Sequence, residues 1–254
     1  MIALVGFLAF FCEFVDTSLG MGYGTTLTPV LLLLGFPASV VVPSVLLSEL
    51  LSGLSAGAFH HGCGNISLAK GSPDRKVISV LAITGVVGSI VAVFVAINLP
   101  KQVLKGYIGA MVLAMGILVL IFRKRQIRFS WPRIYLLGAV SAFNKGISGG
   151  GYGPLVVSGQ ILSGSDSRNA IGVTSLAEGL ICLAALSLYL LLNDGVGWMI
   201  GNWRFYTPMV AGALLAAPVA AYATKVASNK VDLRMVVGVV TCILGGWTLV
   251  KTFC

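Results

Sequence analysis

Apolar residues run through this chain in ten continuous stretches, at roughly 1–18, 24–36, 39–60, 76–98, 102–122, 132–145, 152–163, 169–193, 204–225 and 231–251. Within each stretch polarity does not alternate, so the pattern predicts helices and not the strands of about ten residues that build a membrane barrel. Several stretches reach the ~20 residues that cross ~30 Å of hydrocarbon. The first and second stretches are shorter and are divided by Gly20-Met21-Gly22-Tyr23-Gly24; the sixth and seventh are likewise divided by Gly149-Gly150-Gly151-Tyr152-Gly153. A helix of about 13 residues rises only ~20 Å. Each of these pairs is therefore expected to be a broken helix or a re-entrant hairpin, with its Gly-rich tip inside the membrane.

The two Gly-rich runs belong to an internal repeat. Tyr23 and Tyr152 are separated by 129 positions (152 − 23), and Phe14/Phe143, Gly20/Gly149, Gly24/Gly153, Glu49/Glu178 and Lys101/Lys230 hold the same offset. The predicted organisation is a first repeat over 1–122, a basic connector over 123–131 and a second repeat over 132–254. Each repeat has about five hydrophobic segments. An odd number of crossings starts the second repeat on the opposite side, so the repeats are expected to be inverted, with the Gly-rich breaks meeting near the midplane. Loop charge sets the orientation. Lys70, Arg75, Lys76, the run from Arg123 to Arg133, Arg168, Lys225, Lys230 and Arg234 fall on one side, and Lys101, Lys105, Arg204 and Lys251 on the other. The positive-inside rule then predicts N-out and C-out in an inner or plasma membrane.

Composition agrees. Of 254 residues 57% are hydrophobic and 10% charged, against about 25% charged in soluble domains. Mean hydropathy is +0.97. The fold class is thus an all-α polytopic membrane protein, not a soluble enzyme. The net charge of +9 is scattered between apolar segments and forms no basic face, so no nucleic-acid partner is expected. Membrane lipid is the expected surroundings, and the basic connector is suited to anionic lipid. A homo-oligomer is compatible with the sequence. The five cysteines, Cys12, Cys63, Cys182, Cys242 and Cys254, form no CxxC pair, and the adjacent His60 and His61 point different ways on a helix and are expected at the cytoplasmic interface. No metal site, cofactor or catalytic residue is indicated. Met1–Phe14 lacks a basic n-region and an A-x-A site and reads as mature structure.

The Gly-rich breaks are the first place to look for chemistry. Pro154 suits the first turn of the seventh helix. Unpaired amides and the positive end of a helix dipole then make the breaks an anion site; close packing of helices through small residues is the competing explanation. Four charged residues, Asp16, Glu49, Lys145 and Glu178, lie in apolar stretches, where each needs a partner or a wet cavity. Glu49 and Glu178 occupy matching positions and read either as proton-carrying carboxyls or as structural acceptors for the break amides. Asp16 and Lys145 occupy matching positions with opposite charges. They read either as an ion pair between the two tips, or as an anion-attracting Lys145 with Asp16 as its resting counter-ion or a coupling site. The candidate substrate-binding set is Lys145, Asn144, Ser148, Gly149, Gly150, Gly151, Tyr152, Gly153, Gly22, Tyr23, Gly24, Thr174 and Ser175. Gly53 and Gly57 mark a close-packing helix face.

Phe14-Val15-Asp16-Thr17-Ser18-Leu19-Gly20-Met21-Gly22-Tyr23-Gly24-Thr25, with Pro29 and Gly35, resembles the first-repeat signature of the TauE/SafE family of anion permeases. Ala142-Phe143-Asn144-Lys145-Gly146-Ile147-Ser148-Gly149-Gly150-Gly151-Tyr152-Gly153-Pro154 resembles its second-repeat signature more closely, and Thr174 to Gly179 fits as well. The resemblance implies a multi-pass transporter of the inner or plasma membrane, in a family associated with export of sulfite, sulfoacetate and related sulfur-containing or organic anions, and it leaves the energy source open; the reading adopted is a secondary exporter of such an anion, with protons or sodium as the candidate coupling ions. Two alternatives are a passive anion channel and a membrane-embedded sulfur-relay protein using Cys12, Cys63 or Cys182.

Overall fold

The computed structural model describes residues 2–20, 22–122, 130–192, 194–226 and 233–253. Among them the chain forms α1 (Ile2–Leu19), α2 (Tyr23–Leu33), α3 (Ala38–Gly62), α4 (Pro73–Asn98), α5 (Lys101–Phe122), α6 (Trp131–Ser148), α7 (Gly153–Leu162), α8 (Ser167–Leu192), α9 (Gly195–Val226) and α10 (Leu233–Phe253). Met21, Cys254 and connector residues 123–129 lie outside the described residues.

Local chemistry explains the boundaries. Ser72 caps α4, its Oγ accepting from the Arg75 amide at 3.2 Å, with Pro73 in the first turn. Gly149 ends α6 in the left-handed conformation at φ 73°, its N–H donating to the Lys145 carbonyl at 2.8 Å. Its counterpart Gly20 has φ 69° and donates to the Asp16 carbonyl at 2.6 Å. Gly20 and Gly149 thus end their helices with the same left-handed turn.

The largest departure from the sequence pattern is α9. It begins at Gly195, nine residues before the predicted start at 204 (204 − 195). Asp194 nucleates its first turn, accepting from Gly197 N–H on its side chain at 3.1 Å and from Trp198 N–H on its carbonyl at 2.7 Å. The Trp198 indole donates to the Ser39 carbonyl at 3.2 Å and stacks on Tyr206 at 5.7 Å between ring centroids. These anchors hold a Gly- and Trp-containing turn whose hydropathy alone is unremarkable.

Among the described residues five helices, α3, α4, α5, α8 and α9, are long and apolar enough to cross a membrane. The outer faces of the assembly expose Phe7, Ile83, Leu136, Leu215, Ile243 and Trp247, a surface suited to hydrocarbon rather than water. The chain is a polytopic helical membrane protein. Helix α1 packs along α9 and α6 along α4, while α3 pairs with α8 and α5 with α10. Exchanging the first five helices with the last five leaves that set of pairs unchanged.

Two close approaches position the interior. A Cβ added to Gly53 would stand 2.9 Å from the Ser175 carbonyl oxygen and 3.2 Å from the Gly179 Cα, so α3 and α8 touch backbone to backbone beside Glu49 and Glu178. A Cβ on Gly150 would stand 2.6 Å from the Gly24 carbonyl carbon and the Thr25 nitrogen. The two Gly-rich breaks are therefore in direct contact, a proximity that only residues without side chains permit.

Candidate functional site

The site forms where the breaks touch. At the end of α1, Asp16 Oδ1 accepts from the Gly22 amide at 2.6 Å, tying α1 to the start of α2. Glu49, midway along α3, accepts from the Gly24 amide at 3.4 Å through Oε1. Its Oε2 is paired with the Lys145 ammonium. Lys145 stands in the last turn of α6 with 0% of its surface exposed. Its ammonium also donates to Glu178 Oε1 on α8 at 2.7 Å. Carboxylate oxygens of Asp16, Glu49 and Glu178 lie within 4.8 Å of one another.

Of the two readings of Asp16 and Lys145, the ion pair between them is replaced by a different arrangement. Among the described residues the counter-ions of Lys145 are Glu49 and Glu178. The packing of α3 on α8 through Gly53 and Gly179 presents both glutamates to one ammonium, while Asp16 is engaged by the α2 amide. A lysine so paired in a low-dielectric interior is held by two hydrogen-bonded charges, the arrangement that makes burial tolerable.

The break amides expected to be unpaired have partners within the chain in this conformation. Gly150 N–H donates to Ser148 Oγ at 3.0 Å, and Gly151 N–H to Thr25 Oγ1 at 2.8 Å. Ser148 Oγ in turn donates to the Asn144 carbonyl at 2.7 Å. Asn144 Oδ1 accepts from the Tyr107 hydroxyl at 2.5 Å. The Gly153 backbone lies against Asp16, where an added Cβ would be 3.1 Å from Oδ1. Tyr23 and Tyr152 are both fully buried. The Tyr23 hydroxyl bonds Ser48 Oγ at 2.9 Å; at the offset of 129 Ala177 replaces Ser48, and the Tyr152 hydroxyl has no hydrogen-bond partner among the described residues. Thr174 faces α7, accepting from Gln160 Nε2 at 2.8 Å and donating to the Ala170 carbonyl at 2.7 Å. Ser175 lines a small pocket with Asp16, Glu49 and Glu178.

Two further members of that pocket, Glu13 and Ser52, escaped the sequence reading. Glu13 was detectable as a carboxyl in an apolar stretch one helical turn from Asp16. The 129 offset pairs it with Ala142, so a search by repeat passes over it. His60 corrects an expectation: it is fully buried rather than interfacial. Its Nε2–H donates to the Thr17 carbonyl at 3.1 Å and its Nδ1 accepts from Asn65 at 2.9 Å, joining α3 to the end of α1. His61 is exposed, its Nδ1 3.1 Å from the Ile66 carbonyl. Cys12, Cys63, Cys182 and Cys242 are free thiols.

A buried lysine lies between two carboxylates, flanked by the paired glycine breaks, and ionisable residues inside a helical membrane protein are rare outside functional sites. The model of the sulfite exporter TauE/SafE family matches residues 3–248. The chain belongs to that family. A probable membrane transporter protein, YtnM of Bacillus subtilis (strain 168), is 30% identical over 227 residues, covering 85% of this chain and 72% of the relative. As a TauE/SafE member with five long apolar helices, the protein is an integral membrane transporter.

Proposed function

We propose that this transporter is a secondary exporter of a small sulfur-containing or organic anion, sulfite, sulfoacetate or a close analogue. It works by alternating access between two inverted repeats, 1–122 and 132–254, with both termini outside. The observation that carries the reading is the placement of Lys145 beside the touching breaks: a fixed cation in a desolvated site attracts an anion far more strongly than one in water. Released from Glu49 and Glu178, Lys145 supplies the charge. The Gly149–Gly153 and Gly22–Gly24 backbones, with Asn144, Ser148, Tyr152, Tyr23 and Ser175, supply neutral contacts that orient the oxygens; Thr174 supports them from α8.

The pocket beside Lys145 measures only about 10 Å³, room for about one water-sized particle. The present conformation is therefore closed to the anion, as alternating access requires of one of its states. A larger cavity of about 360 Å³ lies among the ends of α3, α4, α5, α8 and α9, with Lys101 and Lys105 among its lining residues. Tyr189 lines it too, and its hydroxyl donates to the Gly146 carbonyl at 3.1 Å, next to Lys145. This basic vestibule suits the outer mouth of the anion path.

Reconstitution in liposomes tests the reading. Sulfite, sulfoacetate, thiosulfate, sulfate and small carboxylates are offered under imposed proton and sodium gradients. Accumulation of one of these anions against its own gradient is expected. Purely downhill flux would establish a channel, and no flux of any of them would reject the anion assignment.

A further inference from the structure

The small pocket beside Lys145 has a second distinctive property: it is built from residues three apart on three different helices. Glu13 and Asp16 come from α1, Glu49 and Ser52 from α3, and Ser175 and Glu178 from α8. Positions i and i+3 share a helix face, so each helix turns two oxygen-bearing side chains into one space. Four of the chain's eight acidic residues meet here. One ammonium, that of Lys145, is paired with two of these four carboxyl groups, those of Glu49 and Glu178.

Two buried oxygens around this pocket have no partner at hydrogen-bond geometry among the described residues, and they belong to neighbouring groups, the Glu13 carboxyl and the Ser52 hydroxyl. Glu13 Oε1 accepts from the Thr17 hydroxyl at 2.8 Å, but Glu13 Oε2 is unpartnered, and so is Ser52 Oγ. The residues are 2% and 0% exposed, respectively. An unpartnered oxygen at such depth calls for a ligand, and here two line a pocket that also contains the carboxyl groups of Asp16, Glu49 and Glu178. The oxygens of Asp16, Glu49 and Glu178 lie within 4.8 Å of one another. Oxygens that share a hard cation at about 2.3–2.6 Å stand roughly 3–5 Å apart. Asp16, Glu49 and Glu178 therefore have the ligand type and the spacing for one bare cation, and the pocket they share with Glu13 and Ser52 has the volume.

We propose that Glu13, Asp16, Glu49, Ser52 and Glu178 form a site for a dehydrated Na⁺ ion. Sodium is close to calcium in radius and fits the same oxygen spacing, whereas K⁺ is larger. The Lys145 ammonium already shares Glu49 and Glu178, which lowers the charge left for a divalent ion. A pocket for one water-sized particle leaves no space for the waters that Mg²⁺ retains. A bound Na⁺ neutralises the carboxylates that hold Lys145, which frees the ammonium for an anion. Cation and anion binding are then linked, each raising the affinity for the other. This linkage, though not the cation site itself, rests on the transport reading above.

The test is equilibrium binding of radioactive Na⁺ to the full-length protein in detergent, with choline as the balancing cation and no transported anion present. Saturable binding is expected, competed by Li⁺ more strongly than by K⁺. Glu13→Gln removes one charge and should weaken Na⁺ affinity by about tenfold or more. Ser52→Ala keeps every charge and should weaken it by a smaller factor, which preserves the test if Glu13→Gln does not fold. The proposal is overturned if folded wild-type protein binds no Na⁺ in preference to K⁺. It is equally overturned if both variants bind with unchanged affinity, or if Ca²⁺ or protons alone occupy the site. Repeating the titration with sulfite or sulfoacetate separates the two readings. Na⁺ binding that ignores every anion leaves the cation site standing and removes the coupling to transport.

Discussion

Glu49 and Glu178, 129 residues apart (178 − 49), converge on a single ammonium, that of Lys145. Positions related by the offset of 129 thus meet at one group that has no like-charged counterpart, since the residue at that offset from Lys145 is Asp16.

Removing the ammonium should be costly. Lys145→Ala leaves two buried carboxylates without their counter-charge, and breaking a buried pair from one side costs about 3–5 kcal/mol. Thermal denaturation in detergent should show a large fall in Tm together with loss of anion binding. Adding Glu49→Gln and Glu178→Gln to the same variant should restore much of the stability but none of the binding. An unchanged Tm in Lys145→Ala would mean that the three charges are not coupled.

The two glutamates should differ when neutralised. Glu49→Gln still has an amide oxygen to accept from the Gly24 N–H, whereas Glu178 has Lys145 as its bonded partner. Transport in proteoliposomes at several pH values separates the roles. Retained transport with an unaltered pH profile in both variants would make the carboxylates structural. We expect gradient-driven flux to fall in both, and anion exchange to survive better in Glu49→Gln.

The contact between breaks admits no side chain. At Gly150 an added Cβ would lie 2.6 Å from backbone atoms of Gly24 and Thr25, so Gly150→Ala must push the breaks apart, with a loss of roughly 1–3 kcal/mol or more. Gly246→Ala meets nothing within 4 Å and lies inside α10. It should be neutral or stabilising by up to about 1 kcal/mol. Yield of monodisperse protein and Tm would rank the two; equal behaviour would refute the close approach.

Tyr23 and Tyr152 provide a paired comparison. Tyr23→Phe breaks the bond to Ser48 and should cost about 1 kcal/mol. Tyr152→Phe deletes a buried hydroxyl without a hydrogen-bond partner among the described residues, so its Tm should hold or rise. If the Tyr152 hydroxyl contacts the anion in another state, anion affinity should fall in that variant while stability does not. Loss of stability in Tyr152→Phe would contradict the geometry.

Helix content, the position of both breaks and membrane character follow from the sequence by itself, because each depends on local properties. Continuous apolar runs have one hydrogen-bonded solution in hydrocarbon, and glycine clusters interrupt it wherever they fall. The family signature around Lys145 is likewise contiguous in the chain. The start of α9 was not legible, because Trp198 is anchored to Ser39 across 159 residues and nothing in the local pattern records that contact. The same limit applies to the ion centre. The offset of 129 pointed to Asp16 as the partner of Lys145, since repeat logic compares matching positions. Ion pairing depends instead on which helices touch, and the backbone contact of α3 with α8 at Gly53 and Gly179 delivers Glu49 and Glu178 to the ammonium. Glu13 and Ser52 became visible only once three helix faces were assembled around one pocket. A buried charge announces in the sequence that it needs a partner, but the choice of partner belongs to the packing, because separation in space and not along the chain sets the Coulomb energy.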